Sequence, residues 1–261
     1  MSDFYEEVLR IKAEGKRAAV ATIIGTKGST PREVGAKMLI HEDGKILGTI
    51  GGGCMEAEVW QEAMKAIKGN KPQTIHFDLT GRAAEESGMI CGGVMDIYIE
   101  PIVPTPKVFI FGGGHISLFV SKMSHMIGFQ VVVIDDRPQF ANKERFPEAE
   151  EVMAEEFPFA LPKLHVNQSA YLVIVTRGHA YDQEVLEWAL SKEVNYIGMI
   201  GSRKKIQTVF HNLKEKGFTP DQLQRVHAPI GLDIGALTPE EIAVSIVAEM
   251  IAERRKIKGE K

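Results

Sequence analysis

From about residue 107 onward the chain repeats one pattern, a short apolar run followed by an amphipathic stretch, and that repetition leaves few folds open to it. Residues 108–111, 130–134, 171–175 and 195–200 are nearly continuous apolar runs of strand length, as expected of parallel strands covered on both faces. Helical patterns over about 114–127, 182–190 and 202–213 follow them. Thr219-Pro220-Asp221-Gln222 and Thr238-Pro239-Glu240-Glu241 each place a capping threonine before a first-turn proline and a Gln or Glu at the third helical position, so two more helices start there. The alternation predicts a Rossmann-like, doubly wound, mainly parallel sheet.

Ahead of this half stands a stiff connector: Pro101, Pro104 and Pro106 fall within residues 101–106, which neither a helix nor an inner strand is expected to cross. The expected organisation is an N-terminal domain over 1–100, a proline-rich linker over 101–106 and a C-terminal domain over 107–261. The N-terminal part reads as mixed α/β. A helix over 4–14 aligns Phe4, Val8 and Ile11. Strands are expected over 18–24, 36–41, 45–50, 73–78 and 94–100, with Glu42-Asp43-Gly44 as a hairpin turn. A helix starting at Cys54 puts Trp60, Ala63, Met64 and Ile67 on one stripe. A chain of 261 residues can give each half its own core.

Lys and Arg number 31 against 35 Asp and Glu, for a net charge of −4, so no affinity for nucleic acid or anionic membranes is expected. No apolar run reaches the about 20 residues that span a bilayer. The acidic N-terminus lacks the order of a signal peptide, and two cysteines make no disulfide framework. A cytoplasmic, reducing setting is expected.

The chemistry concentrates at glycines. Gly51-Gly52-Gly53-Cys54-Met55-Glu56 carries a cysteine from a strand into a helix N-terminus. Unpaired amides and the helix dipole favour thiolate there, the form that attacks electrophiles and binds soft metals. The plainer reading is a tight turn with a small buried cysteine. A first-turn glutamate such as Glu56 is ordinarily a dipole partner. Gly112-Gly113-Gly114-His115-Ile116-Ser117 resembles the dinucleotide fingerprint, with Ser117 in place of the third glycine and Asp135 placed to meet a ribose. Thr176-Arg177-Gly178-His179 and Gly201-Ser202-Arg203-Lys204-Lys205 each follow a strand. Arg203 at a helix start suits a phosphate, whereas Lys204 and Lys205 read as a solvated helix face. No zinc-type spacing, nucleophile elbow or P-loop is present.

Together these motifs resemble the xanthine dehydrogenase accessory (XdhC/CoxI-type) family. The matching pieces are Gly28-Ser29-Thr30-Pro31-Arg32, the Gly51–Glu56 motif, Cys91-Gly92-Gly93, Phe111-Gly112-Gly113-Gly114-His115, Asp135-Asp136-Arg137, Thr176-Arg177-Gly178-His179, Gly198-Met199-Ile200-Gly201-Ser202 and His227-Ala228-Pro229-Ile230-Gly231-Leu232. The resemblance implies a chaperone that binds molybdenum cofactor (Mo-molybdopterin), protects it, assists its sulfuration and delivers it to a xanthine dehydrogenase-type molybdenum hydroxylase, with a cysteine desulfurase or sulfurase as second partner. It implies Cys54 as a molybdenum ligand, Cys91 as a second ligand or sulfur carrier, and Gly51, Gly52, Gly53, Arg32 and Glu56 around them. On the C-terminal side the expected binding residues are Gly112, Gly114, His115, Asp135, Arg177, His179, Ser202 and Arg203, for NAD(P) or another nucleotide. Two other readings stay open: an NAD(P)-dependent oxidoreductase, and a module that recruits partners without touching cofactor. A homodimer is the expected oligomer.

Overall fold

The structure is a computed structural model that describes residues 4–80 and 92–255. Cys91 lies outside the described residues. The chain divides into two compact units between Pro104 and Thr105. No helix among the described residues is long and apolar enough to cross a membrane.

The first unit is built on β1 (Ala18–Lys27), β2 (Lys37–His41), β3 (Ile46–Gly48), β4 (Gln73–Asp78) and β5 (Val94–Ile102). They form a sheet in the order β3-β2-β1-β5-β4, antiparallel throughout. The period-two side-chain alternation of β1 separates two cores. Ala19, Ala21 and Ile23 face α2 (Gly53–Gly69), whose Met55, Val59, Ala63 and Ile67 pack on that side. Ala18 and Val20 face α1 (Phe4–Ala13), which contributes Ile11. A bulge between Ile23 and Gly25 re-registers β1 against β5, and the strand thereby continues to Lys27, past the expected end at 24.

β5 also runs further than expected. Pro101 and Ile102, assigned from sequence to the connector, belong to this inner strand and pair with Ala19 and Ala18. The partner strand β4 reaches only as far as Ile99. Pro101 therefore needs to donate no hydrogen bond on that side, and the proline is tolerated.

The second unit carries β6 (Lys107–Phe111), β7 (Gln130–Asp135), β8 (Glu151–Ala154), β9 (Ala170–Ile174), β10 (Tyr196–Met199) and β11 (Val226–His227). Its sheet order is β11-β10-β9-β6-β7-β8, parallel in every pair. This is the doubly wound order, with the direction of winding switching between β6 and β9. One face packs Phe109, Phe111, Leu172 and Ile174 against α4 (Phe157–Ala160), α5 (His179–Leu190), α6 (Arg203–Glu215) and α7 (Pro220–Gln224). The other packs Val108, Ile110, Val131 and Val173 against α3 (His115–Met126) and α8 (Pro239–Arg255). Thr219 and Gln222 form the capping box that opens α7. Glu241 accepts from the amides of Leu237 and Thr238 at the start of α8.

Candidate functional site

In the first unit the turn into α2 is a run of glycines in left-handed or related backbone, with φ of 143°, 86° and 66° at Gly51, Gly52 and Gly53. Gly52, at ψ 177°, occupies a region that residues with a side chain essentially avoid. Gly51 has no room for a side chain: a Cβ would lie 2.6 Å from Met55 Cε and 2.7 Å from Pro31 Cγ. At Gly52 and Gly53 no atom of the described residues lies within 4 Å of that position. Cys54 follows, exposed and unpaired by any disulfide.

Glu56 folds back onto this turn. Its carboxylate accepts from Thr49 Oγ1 at 2.5 Å and from the Ile50 amide at 3.2 Å. Burial raises its proton affinity, but hydrogen bonds from Thr49 and from the amides of Ile50, Gly52 and Gly51 outweigh it and hold the carboxyl below the usual glutamate range. The Gly51 amide donates to Thr49 Oγ1 at 3.2 Å, and the Glu56 carboxylate lies against this turn, so an incoming anion would meet a charge already present. What the turn offers a ligand is the Cys54 thiol and the open backbone of Gly52 and Gly53.

Two other expected motifs meet the same corner. Pro31 packs on Gly51, which places the exposed Arg32 on the adjoining loop. A Cβ on Gly28 would lie 3.1 Å from Gly92 O, and one on Gly93 would collide with Ser29 O. The loop of Gly28–Arg32 thus touches both the turn before Cys54 and the glycines that follow Cys91.

In the second unit the expected residues all lie at the carboxyl edge of the parallel sheet, because each follows a strand. Gly112, Gly114 and His115 follow β6, Asp135 ends β7, Arg177 and His179 follow β9, and Ser202 and Arg203 follow β10. Gly112, at φ 109°, lies against Val175, where a Cβ would meet the carbonyl oxygen at 2.5 Å. Ser117, buried, donates to Gly112 O and fastens α3 to the turn. Gly113 is covered by the backbone of Phe140, whose carbonyl oxygen a Cβ would strike. Gly114 is open, and the exposed His115 begins α3.

Asp135 is not available to a ribose. It is 2% exposed and accepts from the Gly113 amide at 2.7 Å, the Arg137 amide at 3.0 Å, Arg137 Nε at 2.8 Å and Arg137 Nη2 at 2.9 Å. A carboxylate has about four acceptor positions, and these contacts fill them. Burial raises this carboxyl, but Arg137 and the two amides more than reverse the shift. Arg137 in turn lies 3.7 Å from the centre of the Phe140 ring. Arg177 donates to Asp136 at 2.5 Å, and since β6 lies between β7 and β9 this ion pair spans the switch point above the glycine turn.

Sequence reasoning missed a second link. Asp182 is fully buried; it accepts from Thr176 Oγ1 at 2.7 Å and pairs with Lys205 Nζ. Burial pushes its carboxyl upward despite these partners. Lys205, expected on a solvated face, is therefore an interior partner that ties α6 to α5. Its signal lay only in the spacing to Asp182, which no local pattern shows. At the far edge Glu249 gathers Tyr196 Oη at 2.5 Å, His227 Nδ1 at 3.2 Å and the Gly231 amide at 2.9 Å, fixing the His227–Leu232 motif to α8.

The profile of the XdhC Rossmann domain matches residues 108–250, and that of the XdhC and CoxI family matches residues 11–78. The chain belongs to the XdhC and CoxI family. Among its relatives in this family is the uncharacterized protein YqeB of Escherichia coli (strain K12), 32% identical over 258 residues. That match covers 98% of this chain but 47% of YqeB, so the chain spans about half of that relative. A probable xanthine dehydrogenase subunit of Bacillus subtilis (strain 168) is 23% identical, with 98% of this chain and 99% of the relative covered. The molybdenum cofactor insertion chaperone PaoD of Escherichia coli (strain K12) is 22% identical, with 97% and 90% covered. A crystal structure of a protein described as a xanthine dehydrogenase from Bacillus halodurans superposes with a TM-score of 0.54 at 25% identity, covering 98% of this chain and 97% of that one.

Proposed function

We propose that this chain is an accessory protein of a xanthine dehydrogenase-type molybdenum hydroxylase: it carries molybdenum cofactor as cargo, holds it while a cysteine desulfurase partner sulfurates it, and delivers it to the apoenzyme. The reading draws on relatives named as a cofactor insertion chaperone and as a probable xanthine dehydrogenase subunit. The observation that carries it in this molecule is the exposed Cys54 beside the open backbone of Gly52 and Gly53.

The residues suit such a cargo. A cysteine sulfur is a soft donor of the kind molybdenum accepts, and glycine backbone lets a bulky group approach. The cargo brings its own metal and dithiolene chemistry; the chain's residues hold and orient it. Glu56 fixes the turn so that Cys54 is presented at the start of α2. Arg32, on the loop that packs against Gly51, supplies positive charge on the same side. The nicotinamide reading has no acceptor left for a ribose, because Arg137 and Gly113 occupy Asp135.

The test is the molybdenum and pterin content of the purified chain after incubation with isolated cofactor, wild type beside Cys54→Ala. Near-equimolar loading in the wild type and less than a tenth of it in a folded Cys54→Ala is expected. Equal loading of both would remove the thiol from the binding step.

A further inference from the structure

We infer that residues 231–238, with the exposed side of α8 next to them, form a docking surface for another protein, one whose contact face is apolar and bordered by lysine and arginine. This goes beyond the cargo reading and does not depend on Cys54. Between β11 and α8 the backbone runs back along the helix as a strap. The Gly231 amide donates to Glu249 at 2.9 Å, the Leu232 amide to Ser245 O at 3.2 Å, and the amides of Leu237 and Thr238 to Glu241 at 2.8 and 3.1 Å. Positions 241, 245 and 249 recur every four residues and so form one stripe along α8. Gly231, at φ 95°, lies so close to this stripe that a Cβ would strike Ser245 Oγ.

A backbone held this firmly still turns apolar side chains to solvent. Ile230, just before the strap, is buried, but Leu232, Ile234 and, beside the stripe on α8, Val244 are exposed, and Leu237 is 87% exposed. Aliphatic side chains exposed singly are ordinary; four on one strap and the helix beneath it mark a contact surface. Because hydrogen bonds already fix the backbone, a partner that covers these side chains has little left to order.

Charge selects the occupant. Residues 226–253 contain no lysine or arginine and five carboxylates, Asp233, Glu240, Glu241, Glu249 and Glu253. The strap engages Glu241 and Glu249. Asp233, between Leu232 and Ile234, and Glu240, three residues after Leu237, are exposed, and among the described residues neither meets a cation within ion-pair distance. A second copy docked patch to patch across a two-fold axis would bring these uncompensated carboxylates together, and an anionic membrane would repel them. A partner face with a Lys/Arg border pairs with them while its apolar centre covers Leu232, Ile234, Leu237 and Val244.

The probe is a fluorescent amphipathic helical peptide of leucine and lysine, compared with a scrambled peptide of the same composition and a leucine–glutamate counterpart. In anisotropy titrations with the intact chain, the leucine–lysine helix should bind at least tenfold more tightly than either. Ile234→Ser with Leu237→Ser, at exposed positions and checked for unchanged melting, should weaken that binding at least tenfold. Asp233→Lys with Glu240→Lys should weaken it as much and flatten its salt dependence. Met126→Ser removes another exposed apolar side chain, next to the Ile127 carbonyl that Arg254 holds at the other end of α8, and should leave binding within twofold. Absence of binding, equal binding of the scrambled peptide, or binding that ignores either double variant would each overturn the proposal. So would a dimer of the intact chain in sedimentation that Ile234→Ser with Leu237→Ser dissolves, because a second copy would then be the occupant.

Discussion

At the scale of single residues, Gly51 and Glu56 decide whether Cys54 is presented at all. Replacing Gly51 by Ala sets a Cβ against Pro31 and Met55 in a backbone conformation that already disfavours a side chain. The expected cost is about 1–3 kcal/mol, measured by urea unfolding; a change under half of that would mean the loop relaxes freely. Glu56 carries a pH signature. Its folded proton affinity is depressed, so its stabilisation is complete above the ordinary glutamate value of about 4.3 and is lost as pH falls through the lower folded value. Glu56→Gln should be less stable than wild type at neutral pH, and the gap should narrow on acidification below pH 4. A gap independent of pH would show that the carboxylate's charge is not what anchors the turn. Residue-level reading of the sequence found this turn because three glycines before a helix restrict the backbone strongly. It read Glu56 only as a dipole partner of the helix, because a carboxylate reaching back from within the motif leaves no mark in spacing alone.

Elements were the most legible level, since strands and helices write themselves in period. β4 is found at its expected bounds, 73–78, and the capping threonines mark the starts of α7 and α8. What escaped were features set by neighbours: the bulge that extends β1, the open side of β5 that accepts Pro101, and the four-residue β8, too short to show a period. The tie between α5 and α6 belongs here too. Asp182 has no exposure and the Lys205 side chain only 12%, so Asp182→Ala strands an ammonium in the interior at a cost of roughly 3–5 kcal/mol. Asp182→Leu combined with Lys205→Met removes both charges and should recover most of that loss. If guanidinium unfolding gives the double variant no better than Asp182→Ala, the pair is not the source of the energy.

At the scale of the whole molecule, each apolar cluster among the described residues draws its buried residues from one unit: two lie within 4–102 and two within 108–250. Cooperativity follows shared burial, so each unit should melt as its own transition, joined by the extended segment around Val103 and Pro104. Differential scanning calorimetry of the intact chain should then show two endotherms. The variants assign them. Gly51→Ala should lower one, by about 4–8 °C for each kcal/mol lost in a unit of roughly 100 residues, and leave the other in place. Asp182→Ala should do the reverse, with about 2–4 °C per kcal/mol if its unit is nearer 150 residues. Limited proteolysis between the two melting temperatures should release the still-folded unit as a stable fragment cut near residues 103–106. One endotherm shifted by both variants would mean that the units fold as a single body. The Cys54 turn and the Asp182–Lys205 tie would then have to be treated as energetically coupled, each sensitive to damage in the other.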